Sequence, residues 1–390
     1  MRTRVAIIGA GPAGLLLSHL LRGAGIDNVV LENRTREYVE HRQRAGILEQ
    51  NTVDVLRASG AGDRMDREGL RHDGVELRFA GEGHRIDFPS HTGGRSVMVY
   101  AQTEVVKDLI ALAESQDGRI LFEAEALAIE GLEPDSPLIR FRHQGSVRTL
   151  LCDIVVACDG FHGIGRRTVP PGVLRTWERE YPFAWLGILA DVAPSCDELI
   201  YANHEHGFAL HSMRSPYVSR LYLQVAPDED LGKWPDERIW DELDTRFTKP
   251  GWHLDRGPIT EKGITPMRSF VAAPLRHGRL LLAGDAAHIV PPTGAKGLNL
   301  AIADVTLLAQ ALIAWHEKGD ETLLDAYSET ALRRVWRAEH FSYFMTTMLH
   351  RDPQQDEFAY QLQLSNLRYL ATSDAAAASL AENYVGLPTV

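Results

Sequence analysis

Three glycines near the N-terminus have the spacing of a loop that binds a dinucleotide. Gly9, Gly11 and Gly14 form a GxGxxG motif, and it follows an apolar run, Val5–Ile8, that predicts a strand. The first glycine permits a tight turn, the second lets backbone approach a pyrophosphate, and the third lets a helix pack closely on the strand. Glu32 ends a second predicted strand, where an acidic side chain binds a ribose diol. The motif predicts dinucleotide binding without distinguishing a flavin from a nicotinamide dinucleotide.

Two further pairs of glycine and aspartate follow predicted strands later in the chain. Asp159-Gly160 follows Leu151–Ala157, and Gly284-Asp285 follows Leu280–Ala283. Each pair alone is more typical of a solvated turn than of a site. Each nevertheless lies at the carboxyl end of an apolar strand, which is where open α/β sheets bind ligands. We therefore expect these loops to lie beside the dinucleotide.

A third group of polar side chains recurs with the two-residue period of a strand. Three predicted strands place a guanidinium, a hydroxyl and two phenols beside leucines on one face of a sheet: Leu199 and Tyr201, then Leu210, Ser212 and Arg214, then Arg220 and Tyr222. Arg214 can bind a carboxylate through two parallel hydrogen bonds, which Ser212 and Tyr222 would supplement. On the residues alone, ordinary strand aromatics and a surface arginine are the more common alternative.

The elements that must position these groups indicate a mixed α/β fold. A strand, a helix at about Ala13–Ala24 and a strand at Val29–Leu31 form a βαβ unit, which requires a parallel sheet. Short alternating runs between about 180 and 265 predict an inserted, mostly antiparallel sheet. A helix after Thr103, a long helix at about Leu298–His316 and a mostly helical remainder complete the prediction.

Length and composition narrow the classes of function. A chain of 390 residues is long enough for two or three domains. The net charge of −12 argues against general binding to nucleic acid or to anionic membranes. Cys152, Cys158 and Cys196 lack the spacing of a disulfide framework or a zinc site, so we expect no metal. The early apolar run is too short for a signal or a membrane span, and we expect a cytoplasmic protein.

The order GxGxxG, Asp-Gly, Gly-Asp resembles that of the flavoprotein monooxygenases that hydroxylate phenols. Longer stretches, from the first glycine loop to the last few residues, resemble the members of that family that act on 4-hydroxybenzoate: Arg42–Gln50, Cys158–Gly163, Leu199–His204, Gly284–Ala301 and Ala381–Pro388. The resemblance implies an FAD-binding domain at 1–178, with a sheet excursion near 71–96. It implies a substrate-binding sheet domain at 179–267. Residues 268–390 then return to the FAD domain and add a helical interface region.

The resemblance also implies a reaction and its participants. These are FAD, NAD(P)H, O2 and 4-hydroxybenzoate, with 3,4-dihydroxybenzoate as the product and a homodimer as the assembly. Residues 33–38 correspond to the region that selects a 2′-phosphate. Tyr38 agrees with NADPH use, but NADPH users often carry arginine where this chain has Asn33. Arg34 and Arg36 could compensate, so NADPH is favoured and NADH stays open.

By the same resemblance, the candidate site residues take four roles. Tyr201, Tyr384 and His72 form a proton relay from the substrate phenol, and Pro292 lies beside the substrate and the ring. The substrate-binding set is Trp185, Leu199, Tyr201, Leu210, Ser212, Arg214, Tyr222 and Thr293. The FAD-binding set is Gly9, Gly11, Gly14, Glu32, Arg42, Arg44, Gln102, Asp159, Arg220, Asp285, Leu298 and Asn299. The nicotinamide set is Arg34, Tyr38, His162 and Arg268.

The relay has a chemical rationale, and its histidine has a plainer alternative. A phenolate is a far better nucleophile than a phenol, and a histidine at the far end of the relay titrates near neutral pH. On the residues alone, His72 is more typical of an exposed loop histidine.

Three other functions stay open at this stage. The chain could hydroxylate a different phenolic acid, act as a flavin dehydrogenase without oxygen insertion, or be a binding protein that keeps a dinucleotide fold without catalysis.

Overall fold

The computed structural model describes residues 1–42, 46–132 and 136–386. Arg44, predicted to bind FAD, lies outside the described residues. The strands of the described part are β1 Val5–Ile8, β2 Asn28–Leu31, β3 Ile47–Leu48, β4 Leu70–His72, β5 Gly74–Phe79, β6 Glu82–Asp87, β7 Val97–Val99, β8 Arg119–Leu121, β9 Glu125–Glu130, β10 Leu138–His143, β11 Ser146–Leu151, β12 Ile154–Ala157, β13 Arg175–Ala190, β14 Leu199–Ala202, β15 Ala209–Ser215, β16 Val218–Val225, β17 Ile259–Ala273, β18 Arg276–His277, β19 Leu280–Leu282 and β20 His288–Ile289. The α-helices are α1 Pro12–Gly23, α2 Arg36–His41, α3 Gln50–Ala58, α4 Asp63–Glu68, α5 Phe88–Thr92, α6 Gln102–Ser115, α7 Ile164–Thr168, α8 Asp236–Arg246, α9 Gly297–Lys318, α10 Thr322–Leu349, α11 Glu357–Thr372 and α12 Asp374–Val385.

A six-stranded sheet, ordered β18-β19-β12-β1-β2-β8, carries the predicted glycine loop. β1 lies between β12 and β2 and pairs in parallel with both, so that Ile7 faces Val156 on one side and Val30 on the other. Strands buried on both faces are continuous apolar runs, which is why the sequence locates them. The predicted βαβ unit is confirmed, with α1 beginning one residue before the predicted helix and β2 one residue before the predicted strand.

An eight-stranded sheet, ordered β20-β17-β13-β16-β15-β14-β5-β6, forms a second layer. Its strands β13 to β16 pair antiparallel, as the alternating runs predict. β14 pairs in parallel with β5, so the predicted sheet excursion near 71–96 completes this same sheet. Helix α8 is absent from the prediction because its buried apolar residues, Ile239, Trp240 and Leu243, form a narrow stripe in a charged segment. The domain limits at 178 and 267 stay a prediction.

Two three-stranded sheets complete the β structure of the described residues. One is the antiparallel sheet β11-β10-β9 beside the first layer, and the other is β3-β7-β4. The second places His72 of β4 opposite Val97 of β7. His72 is thereby a buried strand residue, and the alternative of an exposed loop histidine is wrong.

The chain is mostly helical from Gly297 to Val385, as predicted. The predicted long helix is α9, which packs against α1 and α10. Helix α9 is long and apolar enough to cross a membrane, and 56% of its most apolar window is buried inside the protein. A buried core helix has the same composition.

Helix α10 buries Glu339, whose carboxylate gives a first testable prediction. Burial raises its pKa to about 7, although the Ser269 hydroxyl donates to it at 2.8 Å. A carboxyl group with a raised pKa in the folded state destabilises that state as it ionises, so stability is lost as the pH rises from about 4.5 to 7. We expect Glu339→Gln to abolish this pH-dependent loss in the free energy of unfolding, which is on the order of 3 kcal/mol. The free energy of unfolding in urea, measured between pH 5 and 8, checks this.

The matched control is Glu329→Gln on the same helix. Glu329 is exposed and pairs with Arg333 four residues on, and exposed pairs of this kind contribute little to stability. A parent protein whose stability is constant from pH 5 to 8 would contradict the prediction.

Candidate active site

The glycine loop after β1 has the shape that a pyrophosphate requires. Gly9 has φ of +104°, and a Cβ there would collide with the carbonyl oxygen of Cys158. A Cβ at Gly14 would collide with the carbonyl oxygen of Gly9, whereas one at Gly11 would meet nothing within 4 Å. Gly9 and Gly14 are thus needed for packing, and Gly11 leaves its backbone open to a ligand at the start of α1.

Glu32 shapes the same loop from the end of β2. Its two carboxylate oxygens accept hydrogen bonds from the backbone N–H groups of Ala10, at 2.8 Å, and Arg34, at 2.9 Å. The side chain is buried. A buried carboxylate held by backbone donors is a fixed acceptor for a ribose diol on the open side of the loop.

The two aspartate loops lie at the same edge, because β12 is a neighbour of β1 and β19 a neighbour of β12. Asp159 accepts a hydrogen bond from the N–H of Gly165 at 2.8 Å, and burial raises its pKa. Its other oxygen is buried and has no hydrogen-bond partner among the described residues. Asp285 is exposed between the buried Gly284 and Ala286. The edge therefore carries two carboxylates, of which that of Asp159 is buried against the start of α7 and that of Asp285 is exposed.

The start of α9 closes this region. The Asn299 side chain donates to the carbonyls of Ile47, at 3.0 Å, and Ala295, at 2.8 Å, and accepts from the N–H of Glu49 at 2.9 Å. These bonds tie β3 to the loop before α9 and leave the backbone N–H groups of the helix start for a ligand. Leu298 is half-buried beside Asn299, and Gln102 is the half-buried first residue of α6.

The register of the eight-stranded sheet brings the predicted polar side chains together. Tyr201 of β14 lies opposite Leu210 of β15, which lies opposite Tyr222 of β16. Ser212 and Arg220 lie opposite each other two residues further along, as the next pair on the same face. Because directly opposed residues point to the same face of a sheet, these side chains form one continuous surface, with Leu199 beside Tyr201.

Two guanidinium groups lie on this surface. Arg214 donates to the Thr103 hydroxyl at 2.7 Å, and its pKa is lowered, first by burial and then by Arg220. The Arg220 guanidinium lies 5.3 Å from the centre of the Tyr222 ring, and the Ser212 hydroxyl donates to the Arg220 carbonyl at 2.9 Å. Like charges at a partly buried position favour binding of an anion, because the anion relieves their repulsion.

Tyr201 and Tyr384 meet although 183 positions separate them. Their hydroxyl oxygens are 2.6 Å apart, and both side chains are fully buried. Burial raises the pKa of both phenols well above the usual value. One hydroxyl donates to the other, which is the arrangement through which a proton can pass between them.

The surroundings of His72 do not suit a histidine that titrates near neutral pH. Neither ring nitrogen has a hydrogen-bond partner among the described residues, and burial lowers the pKa of the ring to about 4. The expectation of a histidine that titrates near neutral pH disagrees with this environment, because burial disfavours the charged imidazolium. The place of His72 in the relay therefore stays a prediction.

Trp185 and Thr293 are each held by a residue of α10 or its C-terminal end. The Trp185 indole donates to Nε2 of His350 at 2.6 Å, and the His350 Nδ1–H donates to the Thr346 carbonyl at 2.9 Å. Burial lowers the His350 pKa to about 3, so the ring stays neutral. The Thr346 hydroxyl donates to the Thr293 hydroxyl at 3.0 Å. Pro292 begins the short 3₁₀ turn that contains Thr293.

Two residues of this region carry no sequence signal that identifies them. His350 follows α10 without a motif around it. Lys296 belongs to the Gly284–Ala301 stretch, but its buried ion pair with Glu49, at 2.5 Å, joins segments 247 positions apart. Only the tertiary structure reveals such partners.

The four predicted nicotinamide residues lie in two groups. Arg34 and Tyr38 line an open cleft of about 770 Å³, together with Glu123, Glu125 and Arg142. The Arg34 guanidinium lies 5.1 Å from the centre of the Tyr38 ring, and that of Arg42 lies 6.0 Å away.

The second group surrounds Phe161. The exposed His162 and the half-buried Arg268 each lie 5.0 Å from that ring. Arg268 also pairs with Glu178 at 3.5 Å. A ligand bound here would meet an aromatic ring with a cation on it.

Comparisons with known proteins agree with this architecture. Residues 2–342 match the family model described as FAD binding domain. The chain is 47% identical over 389 residues to p-hydroxybenzoate hydroxylase of Acinetobacter baylyi. That alignment covers 100% of this chain and 96% of that protein. It is 28% identical over 332 residues to 3-amino-4-hydroxybenzoate 2-monooxygenase of Streptomyces cremeus, covering 80% of this chain and 79% of that protein.

A solved structure shares the whole fold. The p-nitrophenol 4-monooxygenase of Pseudomonas putida superposes with a TM-score of 0.85 and 20% identity, covering 99% of both chains. Aklavinone-11 hydroxylase, solved with FAD and aklavinone, has a TM-score of 0.75 at 20% identity and covers 89% of this chain and 69% of its own. At these identities the likeness concerns the fold.

Proposed function

The chain belongs to the FAD-dependent aromatic hydroxylase family, and from this premise we propose that it converts 4-hydroxybenzoate into 3,4-dihydroxybenzoate with NAD(P)H and O2. The observation that carries the substrate assignment is the sheet face that holds Ser212 and Tyr222, with the Arg214 guanidinium beside them at one end and Tyr201 at the other. A cationic end suits a carboxylate, and a buried phenol suits the hydroxyl across the ring.

FAD fits the residues at the edge of the six-stranded sheet. The backbone around Gly11 would hold the pyrophosphate, Glu32 the ribose diol, and Asp285 and the start of α9 the remainder, with Arg42, Gln102 and Arg220 as further contacts. When bound, FAD accepts a hydride from the nicotinamide and supplies the activated oxygen.

The protein's own part is to fix the ring and to hold the phenolic proton. Arg214 would bind the substrate carboxylate, so that the ring extends along the sheet face toward Tyr201. Trp185, Leu199 and Leu210 would exclude water from the ring, and Pro292 and Thr293 would border it. The Tyr201 hydroxyl would accept a hydrogen bond from the substrate phenol. As it takes the phenolic proton, it would donate its own proton to the Tyr384 hydroxyl, which would in turn donate its proton toward His72.

For the nicotinamide we propose NADPH, with NADH as the alternative. Arg34 and Tyr38 would bind the 2′-phosphate in the cleft, and His162 and Arg268 would bind elsewhere along the dinucleotide. Arg34 supports NADPH through its charge, whereas the carboxylates of Glu123 and Glu125 in the same cleft disfavour a phosphate.

We further propose a cytoplasmic homodimer that forms through α11. The outer face of α11 carries a stripe of exposed apolar residues with helical spacing: Phe358, Leu362 and Tyr369.

Sedimentation of the protein should give twice the chain mass of 43.4 kDa. Phe358→Glu should shift the protein to monomer, because a carboxylate would be buried without a partner. Tyr217→Glu, at an exposed turn elsewhere, is the control; a monomeric parent would contradict the proposal.

The test of the function is substrate-stimulated oxidation of NADPH and of NADH, with identification of the product. We expect 4-hydroxybenzoate to accelerate the oxidation and 3,4-dihydroxybenzoate to accumulate. A panel of other hydroxybenzoates tests for a different phenolic substrate. Accelerated oxidation without any hydroxylated product would instead indicate a dehydrogenase, and a purified protein that takes up no flavin would indicate a binding protein.

A further inference from the structure

The C-terminal turn of α12 carries Tyr384 and ends in carbonyl groups that side chains satisfy. The last carbonyls of a helix have no partners within it. Here Gly386 O accepts from Arg95 Nη1 at 2.5 Å. Tyr384 O accepts from Lys296 Nζ at 3.1 Å, and the Asn383 carbonyl accepts from the same group. Cations at this end of a helix also interact favourably with its dipole.

Arg95 connects this turn to two other segments. Its Nη2 donates to the Asn51 side chain on α3 at 3.1 Å. In the chain, Arg95 lies two residues before Val97, and Val97 pairs with His72 in the sheet β3-β7-β4. The side chain of Arg95 therefore ties the end of the helix that carries Tyr384 to α3 and to the segment that leads into the sheet carrying His72.

The C-terminal turn of α12 needs an anchor because the hydrogen bond between the Tyr384 and Tyr201 hydroxyls tolerates little movement. The Tyr384 ring stacks on Phe88 at 5.0 Å and meets Phe341 edge-on at 6.2 Å, contacts that fix the ring plane. Apolar contacts are not directional, so they do not set the position of the helix along its own axis. The 2.6 Å bond from Tyr384 to Tyr201 lengthens beyond hydrogen-bonding range if the turn slides by about 1 Å.

Lys296 is a second anchor, but it cannot be tested separately. It pairs with Glu49 and lies in the loop directly before α9, so its replacement alters the proposed flavin site as well. Arg95 has no place in the proposed substrate or FAD sets. It thus offers a way to loosen the turn without removing a group from either.

We propose that Arg95 is a positioning residue, which ties the C-terminal turn of α12 to α3 and to the segment that leads into the sheet carrying His72, and thereby keeps the Tyr384 hydroxyl bonded to Tyr201. The inference rests on the proposed function, because it assigns the relay a support. Its consequence is ionisation of bound substrate: with the turn loosened, the phenol of bound 4-hydroxybenzoate should ionise less readily, while its carboxylate is held as before.

The experiment compares Arg95→Met with the parent in the FAD-loaded enzyme without NAD(P)H. Methionine keeps an unbranched apolar stem and removes the guanidinium donors. The absorbance of bound 4-hydroxybenzoate, measured against pH, reports the ionised fraction of its phenol. Titration with increasing 4-hydroxybenzoate at each pH gives the affinity for this ligand. We expect the ratio of ionised to neutral phenol to fall about threefold to tenfold at a given pH, with affinity for FAD retained. Arg57→Met, which removes an exposed ion pair between Arg57 of α3 and Asp66 of α4, should have no effect.

A double-mutant cycle with Tyr384→Phe separates positioning from a general structural effect. If Arg95 acts through the Tyr384 hydroxyl, Arg95→Met should change nothing further once that hydroxyl is gone. Additive effects would overturn the proposal, as would a parental ionisation profile in Arg95→Met. Arg95→Lys, which keeps one donor, should recover part of the profile. Failure of Arg95→Met to fold or to retain FAD would also overturn it, because the proposal requires both to survive.

The failure of the proposed function gives a different result. If Tyr201→Phe leaves the ionisation of bound 4-hydroxybenzoate unchanged, the relay is refuted, and this proposal with it. If Tyr201→Phe lowers ionisation and Arg95→Met does not, the function stands and the role of Arg95 alone is refuted.

Discussion

Replacement of Arg214 by alanine should weaken the binding of 4-hydroxybenzoate by about 2–5 kcal/mol, the usual cost of removing one partner of a buried charged pair. This corresponds to a loss of affinity of about 30-fold or more. The physical reason is that Arg214 is one of two guanidinium groups at the end of the substrate face. The other, that of Arg220, lies over the Tyr222 ring, and Ser212 and Tyr222 carry no positive charge that could neutralise a carboxylate. Equilibrium titration of the oxidised, FAD-loaded protein measures the effect without catalysis.

The ligand itself provides the sharpest control. 4-Hydroxybenzamide has nearly the shape of the substrate and no charge, so Arg214→Ala should weaken its binding far less than that of 4-hydroxybenzoate. Arg256→Ala tests for a general effect of charge, since Arg256 pairs with Asp241 and Asp244 at the exposed side of α8. Equal losses for the acid and the amide would show that Arg214 supports the sheet and does not bind a carboxylate.

The cofactor edge was predictable because its signals are local in sequence. The strand before Gly9, the helix after it and the strand before Glu32 lie within one βαβ unit, and each strand is a continuous apolar run. The face with Ser212 and Tyr222 was predictable for a similar reason, since alternation along a strand fixes which side chains share a face, although the register of β15 shifts between Met213 and Ser215, where Arg214 lies. The role of that face was not, because its spacing equally fits an ordinary sheet.

The rest depends on pairings between distant segments. The parallel pairing of β14 with β5 joins residues more than 120 positions apart, and no periodicity encodes it. His72 lies in a strand of three residues, which is too short to show alternation, so its burial was missed. The bond between Trp185 and His350 and the pair of Lys296 with Glu49 are likewise products of packing, and they leave no motif in the chain.

Replacement of Tyr201 by phenylalanine should leave flavin reduction possible while hydroxylation falls, by about 10²-fold if the relay supplies general base catalysis. The hydroxyl is the group of Tyr201 that meets Tyr384, and no other part of the side chain changes. Without it, the bound phenol keeps its proton and the ring is a poorer nucleophile. Reducing equivalents should then appear as hydrogen peroxide, so the ratio of product to NAD(P)H oxidised measures the effect. Tyr181→Phe, which removes a hydroxyl bonded to Ser269 in the same sheet, is the matched control.

The pH dependence decides whether Tyr201 moves a proton or only orients the ring. An unperturbed phenol ionises near pH 10, so raising the pH toward that value supplies the phenolate without help from the protein. If Tyr201 acts on the proton, the variant should recover product formation as the pH rises, and the parent should need no such rise. If Tyr201 only orients the substrate ring, the deficit in product formation should be the same at every pH, because a change of pH does not return the ring to its position. A variant that hydroxylates at the parental rate near neutral pH would refute the relay, since the buried Tyr201–Tyr384 bond would then have no part in the reaction.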